Sequence, residues 1–341
     1  MSEPSSDRGV PVPHGAGRAP ATPSAETALA QAREALHRYE RLARAEATWR
    51  AYASDWRRFE AWARTVGRET LPTTPETLAL FLAAEAARGR APSTVTRRVS
   101  AIRLVHLGAG LPSPTDAVVV SETLRGIRRG ARGRAPAKRE PAVDHEIKRM
   151  ADALDDDRPA TLRDRALILL GFASALRRSE LAGMTIEWLR RHPKGLVIEI
   201  PYSKADQEGH GQTVAVPAKP DSPWCPVAAL DRWLAAADIR TGAVFRAVHR
   251  SGRILGDDDA HMDGKSIARI VKRVALAAGL DPTRRSAHSL RRGVLTSAAH
   301  AGSNIARTQR HARHTSFETT AGYFGDGELF EDHPLADLLE P

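Results

Sequence analysis

The sequence predicts a two-unit, mainly α-helical protein whose second unit encloses a small antiparallel β-sheet. Three observations carry that expectation. The chain has 341 residues, about twice the ~150 residues that serve as a soft prior for one domain. Apolar side chains recur at steps of three and four through residues 25–127, whereas Leu196–Tyr202 and Thr213–Val216 alternate as strands do. Between the two patterns, residues 128–141 read RRGARGRAPAKREP, with six basic residues, two glycines and two prolines in fourteen positions. Such a run breaks periodicity and reads as a linker.

The elements follow in order. Residues 1–24 are rich in Pro, Ser, Gly and Ala and read as a disordered tail. Leu29, Ala32, Leu36, Tyr39 and Leu42 then mark a helix beginning at Ala25. Trp49, Tyr52, Trp56, Phe59, Trp62 and Ala63 form one face of a second helix, ended by Gly67. Thr74 reads as an N-cap with Pro75 in the first helical position. Ser93 reads as the cap of a helix running through Val95, Val99 and Ile102 to Gly108, and Val118–Ile127 as one more. In 142–341, Leu162–Ser174 is strongly apolar and helical, and a further helix begins near Arg178. The two alternating stretches form a hairpin across SKADQEGHGQ; Pro226–Ala236, Gly264–Ala278 and Ser289–His300 are expected to be helices.

Composition narrows the function classes. Lys plus Arg is 51 against 41 acids, a net charge of +10, which suggests a polyanionic partner, nucleic acid most often, over a merely basic enzyme. Seven of those basic residues are lysine and 44 arginine, so a lysine stands out. No apolar run approaches the ~18–20 residues of a membrane span. The N-terminus has no apolar core of a secretory signal. The single cysteine, Cys225, cannot form an internal disulfide or a zinc-type pair. A cytoplasmic, metal-free protein is the simplest expectation.

Four segments carry candidate chemistry: ALRRSEL (Ala175–Leu181), SKADQEGHG (Ser203–Gly211), AHSLRRG (Ala287–Gly293) and RHTSFETTAGYF (Arg313–Phe324). Singly, each reads as a basic helix start, a hairpin turn, a basic helix face or a capped helix ending in a core tyrosine. In this order and spacing they resemble the active-site boxes of the tyrosine recombinases, the phage-integrase family that includes Cre and the Xer proteins. The family's GLRxSEL-like box matches ALRRSEL and places its first arginine at Arg177; its β-hairpin lysine falls on Lys204. The His-x-x-Arg box falls on His288 and Arg291. The closing histidine, nine residues before a tyrosine through a Thr-Thr pair, falls on His314 and Tyr323. The helix at Ser93–His106 resembles one in the family's helical core-binding domain. Two departures stand out: Arg313 occupies the usual glycine position before His314, and Arg292 stands where many members have histidine.

The resemblance implies a fold of a helical, SAM-like core-binding domain (25–127) and an α+β catalytic domain (142–341), closing as a clamp around duplex DNA. It implies a site-specific recombinase that cuts and rejoins DNA through a 3′-phosphotyrosyl link, with no ATP, metal or cofactor. The residue types suit that chemistry. A tyrosine hydroxyl is the nucleophile, at Tyr323. Arg177 and Arg291 can donate forked hydrogen bonds to the charged transition state, His288 and His314 add donors and assist proton removal, and Lys204 protonates the leaving 5′ oxygen, which an arginine with pKa above ~12 cannot do. Glu180 is implied as a supporting acid, with a surface ion pair as the alternative. His311 and His314 have a helical metal spacing, but no third ligand lies nearby in the sequence. Arg97, Arg98, Arg103, Arg128, Arg129, Arg132 and Arg134 are the expected DNA contacts outside the centre, making affinity fall steeply with salt. The working assembly implied is a tetramer on two double-stranded DNA sites, with a C-terminal tail (Leu329, Phe330, Leu335, Leu338, Leu339) that packs on a neighbour or folds back on its own domain. Two alternatives stay open: type IB topoisomerase-like relaxation, and a catalytically silent DNA-binding protein of the same fold.

Overall fold

A computed structural model describes residues 25–42, 44–131, 140–201 and 211–324. The tail at 1–24, the linker arginines Arg132 and Arg134, the hairpin turn bearing Lys204 and the C-terminal tail lie outside the described residues. Two compact units divide the chain, Met1–Pro136 and Ala137–Pro341. No described helix is long and apolar enough to cross a membrane.

The first unit is built from α1 (Ala25–Leu42), α2 (Glu46–Thr65), α3 (Pro75–Ala87), α4 (Pro92–Gly108), a 3-10 turn at Pro114–Asp116 and α5 (Val118–Gly130). Its core joins Phe59, Leu78, Phe81, Leu82, Val95, Ile102 and Val120, with Phe59 and Phe81 edge to face at 5.1 Å. Thr74 caps α3 as expected, its side chain accepting from the Thr77 N–H at 3.2 Å, with Pro75 following. Helix α4 starts two residues earlier than expected, at Pro92, and Ala91 rather than Ser93 holds the cap position. The apolar stripe of α1 is present, but Leu29, Leu36 and Tyr39 are exposed. Helix α5 runs on to Gly130, so Arg128 and Arg129 sit on its last turn instead of in a linker. His106 is buried between two partners: its Nε2 accepts from the Thr73 N–H at 3.0 Å, which fixes Nδ1–H as the donor to Ile102 O at 2.8 Å.

The second unit contains α6 (Asp144–Asp152), α7 (Pro159–Ala173), α8 (Arg178–Ala182), a 3-10 turn at Ile186–Trp188, β1 (Leu189–His192), β2 (Gly195–Ile200), β3 (Gln212–Pro217), α9 (Pro226–Ala236), β4 (Ala247–Val248), β5 (Ile254–Leu255), α10 (Gly264–Ala277), α11 (Ala287–His300), α12 (Ile305–Ala312) and α13 (Phe317–Ala321). Strands β1, β2 and β3 form an antiparallel sheet in that order, and the short β4 and β5 pair separately. Leu196 pairs with Val216 and Ile198 with Val214, and these four side chains are buried. Their alternation is the signal that places the hairpin. The third strand is unexpected: LRRH has no apolar face and is an exposed edge.

Helix α7 is buried from Leu162 to Gly171 except at Arg165, and from Ala166 onward it is wholly apolar. Its Asp164 is buried and takes ion pairs from Arg163 and Arg273, tying α7 to α10. Cys225 caps α9, its sulfur accepting from the N–H groups of Lys219 (3.3 Å) and Ala228 (3.5 Å).

Helix α11 begins at Ala287, two residues before the expected start, so His288 and Arg291 share its first two turns. It is packed backbone to backbone against the start of the unit. The Ala142 N–H donates to Ser289 O at 3.0 Å, and a Cβ added at Gly293 would stand 1.8 Å from Ala142 O. Gly293→Ala is therefore expected to shift α11 and destabilise the unit by on the order of 3 kcal/mol, the upper end of overpacking costs. The denaturation midpoint of the second unit measures this, and a midpoint equal to wild type would disprove the close approach.

Candidate active site

The site begins where α7 ends. After Ala173 the chain turns through Ala175, a buried residue with left-handed φ of +50°, a conformation that costs a side-chain-bearing residue energy. The turn delivers Arg177 to the cap position of α8. There the Arg177 N–H donates to Glu180 Oε2 at 2.8 Å and its Nη1 to Oε1 at 2.7 Å. Burial pushes the Glu180 carboxyl up. The Arg313 charge, the Arg177 N–H and the two guanidinium hydrogen bonds outweigh that and hold it below the usual carboxylate range.

Helix α11 contributes the second arginine. Arg291 is buried, and its two Nη groups donate to the carbonyls of Ala175 and Ala312. Burial, with the charges of Arg177 and Arg313, lowers its pKa to about 10 against the opposing pull of Glu180 and Tyr323. Its helix neighbour His288 keeps exposed surface, yet local desolvation, then Arg291 and Arg292, hold its imidazolium below the ordinary value.

Helix α12 closes the ring of groups. His311 on it donates from Nε2 to Ala173 O at 2.9 Å, so its spacing with His314 serves packing. Arg313 ends α12 in the left-handed region, at φ +56° and ψ +46°. Its Nη2 reaches Glu180 Oε2 at 2.8 Å and Ala175 O at 3.3 Å. His314 follows, its Nδ1 2.9 Å from the hydroxyl of buried Thr320, and its ring stacks on Tyr323 with centroids 6.1 Å apart and planes at 18°. The Arg292 guanidinium lies 5.8 Å over the same tyrosine ring. Arg177, Glu180, His288, Arg291, His314 and Tyr323 thus form one electrostatic cluster, and Lys204 lies outside the described residues. Arg313 and Thr320 are the members to which the sequence motifs assign no role. The Thr-Thr pair is the signal for one, and the glycine departure for the other.

The histidines make the fold acid-sensitive. Desolvation and then Arg291, Arg177, His288 and Arg313 lower His314 to about 4, and burial first of all lowers His311. The unfolded chain then binds more protons than the folded one between about 4 and roughly 6.5. Stability is full above that window and is lost as pH falls through it. Thermal melts from about pH 7 to about pH 5 should show the loss, and His314→Gln should make it shallower. An unchanged slope in the variant would assign the loss to other groups.

The expected DNA contacts of the first unit fare differently. Arg97 is exposed but chelates Asp55 through two hydrogen bonds of 2.7 and 3.0 Å. Arg98 is a correction: it is buried and paired with Glu85 and Asp55, a structural charge rather than a surface one. Arg103 pairs with Asp116, Arg128 reaches Thr96 Oγ1 at 3.4 Å, and Arg129 is exposed. The sequence singles out neither Arg58 nor Arg88, which meet the fully buried Glu85 at 3.2 and 2.9 Å while their side chains stay partly exposed. No local pattern marks them, because the carboxylate that gathers them lies on another turn or helix.

Two family models match the chain: the phage integrase family over residues 143–327, and the phage integrase N-terminal SAM-like domain over residues 29–109. An integrase/recombinase xerD homolog of Selenomonas ruminantium is 37% identical over 295 residues, spanning 86% of this chain and 85% of that protein. The recombinase Cre of Escherichia phage P1 is 26% identical over 164 residues, 47% of each chain. In fold, the chain is similar to the Tn1549 transposon integrase solved with transposon right end DNA, at a TM-score of 0.56 and 15% identity over 86% of this chain and 92% of that one. It is also similar to the XerH site-specific recombinase solved with its difH substrate, at a TM-score of 0.52 and 17% identity, covering 73% and 66%.

Proposed function

The chain belongs to the phage integrase family of tyrosine recombinases, and from that premise we propose that it is a site-specific recombinase of duplex DNA acting through a 3′-phosphotyrosyl intermediate. The observation that carries this reading is the stacking of Tyr323 on His314 within the charge field of Arg291. The Tyr323 oxygen attacks the scissile phosphorus, forming one O–P bond as the bond to the 5′ oxygen breaks. His314, neutral at physiological pH and stacked on the Tyr323 ring, is the group placed to take the phenol proton, although the shift of its pKa to about 4 makes it a weaker base than an ordinary imidazole. Arg177, Arg291 and His288 oppose the negative charge that gathers on the non-bridging oxygens. Lys204 supplies the proton for the departing 5′ oxygen. The free 5′ hydroxyl of another strand reverses the sequence, so the energy of the phosphodiester is conserved and strands are exchanged.

The exposed arginines Arg58, Arg88, Arg97, Arg103, Arg128 and Arg129 are the candidate phosphate contacts of the helical unit, with Arg132 and Arg134 following them in the chain. Paired surface arginines retain donors for phosphate oxygens and a net positive field. A tetramer on two duplexes would complete both strand exchanges.

The test is a suicide duplex nicked beside the cleavage position, so that the 5′ fragment diffuses away and the intermediate accumulates. A pool of singly nicked genomic duplexes supplies candidate sites. A denaturant-stable protein–DNA adduct with a blocked 3′ end is expected. Tight, salt-sensitive binding to captured sites with no adduct would overturn the enzyme reading and leave DNA binding alone.

A further inference from the structure

We propose that Arg313 is a positioning residue that keeps Glu180 neutralised when Arg177 turns to the scissile phosphate, an inference that rests on the strand-transfer reading above. Glu180 is shared: Oε1 takes the Arg177 guanidinium, and Oε2 takes both the Arg177 N–H and the Arg313 guanidinium. The two cations differ in access. The Arg177 side chain is 23% exposed and that of Arg313 only 4%, with Glu180 equally buried at 4%. A phosphate entering from solvent can therefore meet Arg177 but not Arg313.

The consequence is electrostatic. To donate its fork to a phosphate, Arg177 must release Glu180 Oε1, and a buried carboxylate that loses its only cation is strongly unfavourable. With Arg313 on Oε2, the carboxylate stays paired when Arg177 releases Oε1. The Arg313 guanidinium is committed to that carboxylate. Its Nε and Nη1 are buried with no hydrogen-bond partner among the described residues, and its Nη2 serves Glu180 and the Ala175 carbonyl. It does so from a left-handed backbone conformation that glycine adopts without strain and arginine does not. Such a residue persists where its side chain is needed, and here the side chain joins the turn before Arg177 to the segment carrying His314 and Tyr323.

The test reads the sign of a double-mutant cycle on captured nicked duplexes. Arg313→Gly, whose backbone suits φ +56°, should melt no lower than wild type. It should form adduct roughly 10- to 100-fold more slowly at saturating DNA, as loss of an orienting neighbour does, with half-saturation unchanged. Glu180→Gln alone should also slow the reaction, because it strands the buried Arg313 charge. In the Arg313→Gly background the same Glu180→Gln change should speed it, because a neutral amide no longer detains Arg177. Adduct formation by Arg313→Gly at the wild-type rate, or a double variant no faster than Arg313→Gly, overturns the proposal alone. A wild type that forms no adduct overturns the strand-transfer reading, and this proposal with it.

Discussion

Tyr323→Phe is expected to abolish the covalent adduct, a loss of more than roughly 10,000-fold, since no other group can take the nucleophile's place. The substitution is well isolated by its surroundings. Phenylalanine keeps the ring that stacks on His314 at 6.1 Å and the face beneath Arg292, so the segment from α12 to α13 stays in place. Only the hydroxyl goes. DNA binding and melting temperature should therefore match wild type while the denaturant-stable band disappears. An adduct persisting in Tyr323→Phe would place the nucleophile elsewhere in the chain, and a loss of binding together with the adduct would make Tyr323 a structural residue.

Arg291→Ala is expected to fail in two ways at once. Its guanidinium spans the carbonyls of Ala175 and Ala312, each the residue at or beside a left-handed turn. Removing the fork leaves the Ala312 carbonyl unmet and the Ala175 carbonyl with only the longer bond from Arg313, at about 1–3 kcal/mol for the unmet acceptor, partly offset because Arg177 and Arg313 lose a like-charged neighbour. A net loss of about 2 kcal/mol is expected in thermal or chemical melts. Adduct formation should fall by about 100- to 1,000-fold, as when one donor to a developing oxyanion is deleted. Arg291→Lys separates the effects: it keeps a charge but not the planar fork whose two Nη groups reach separate carbonyls, so it should recover part of the rate and little of the stability. A lysine variant as stable as wild type would show that the bridge contributes nothing.

Local spacing is a sound guide where the chemistry is local. His288 and Arg291 share α11, His314 and Tyr323 flank α13, and Arg177 caps the helix that carries Glu180, so sequence distance maps onto contact. Thr74 before Pro75 and the Leu196–Val216 alternation are legible because one residue type dominates each geometry. Burial across long sequence separations is not legible. Arg98 looks in the sequence like its neighbour Arg97, and only the arrival of Glu85 from α3 makes it a core charge. Strand β1 is held by pairing with β2 rather than by any apolar pattern of its own. Arg313 is visible as a departure, but its left-handed turn and its hold on Glu180, 133 residues away, belong to the folded chain.

The cap on α9 has a practical corollary. Cys225 is the one thiol in the chain, and its sulfur is occupied by two backbone N–H groups and 3% exposed. Thiol-directed dyes will therefore ignore the native protein, and any cysteine introduced on its surface becomes a unique handle. Glu69→Cys and Asp221→Cys, both at exposed positions on different units, would carry a donor and an acceptor without first removing the natural thiol. Energy transfer between them would turn the chain into its own ruler, reading in real time whether the distance between its halves changes when duplex DNA is added.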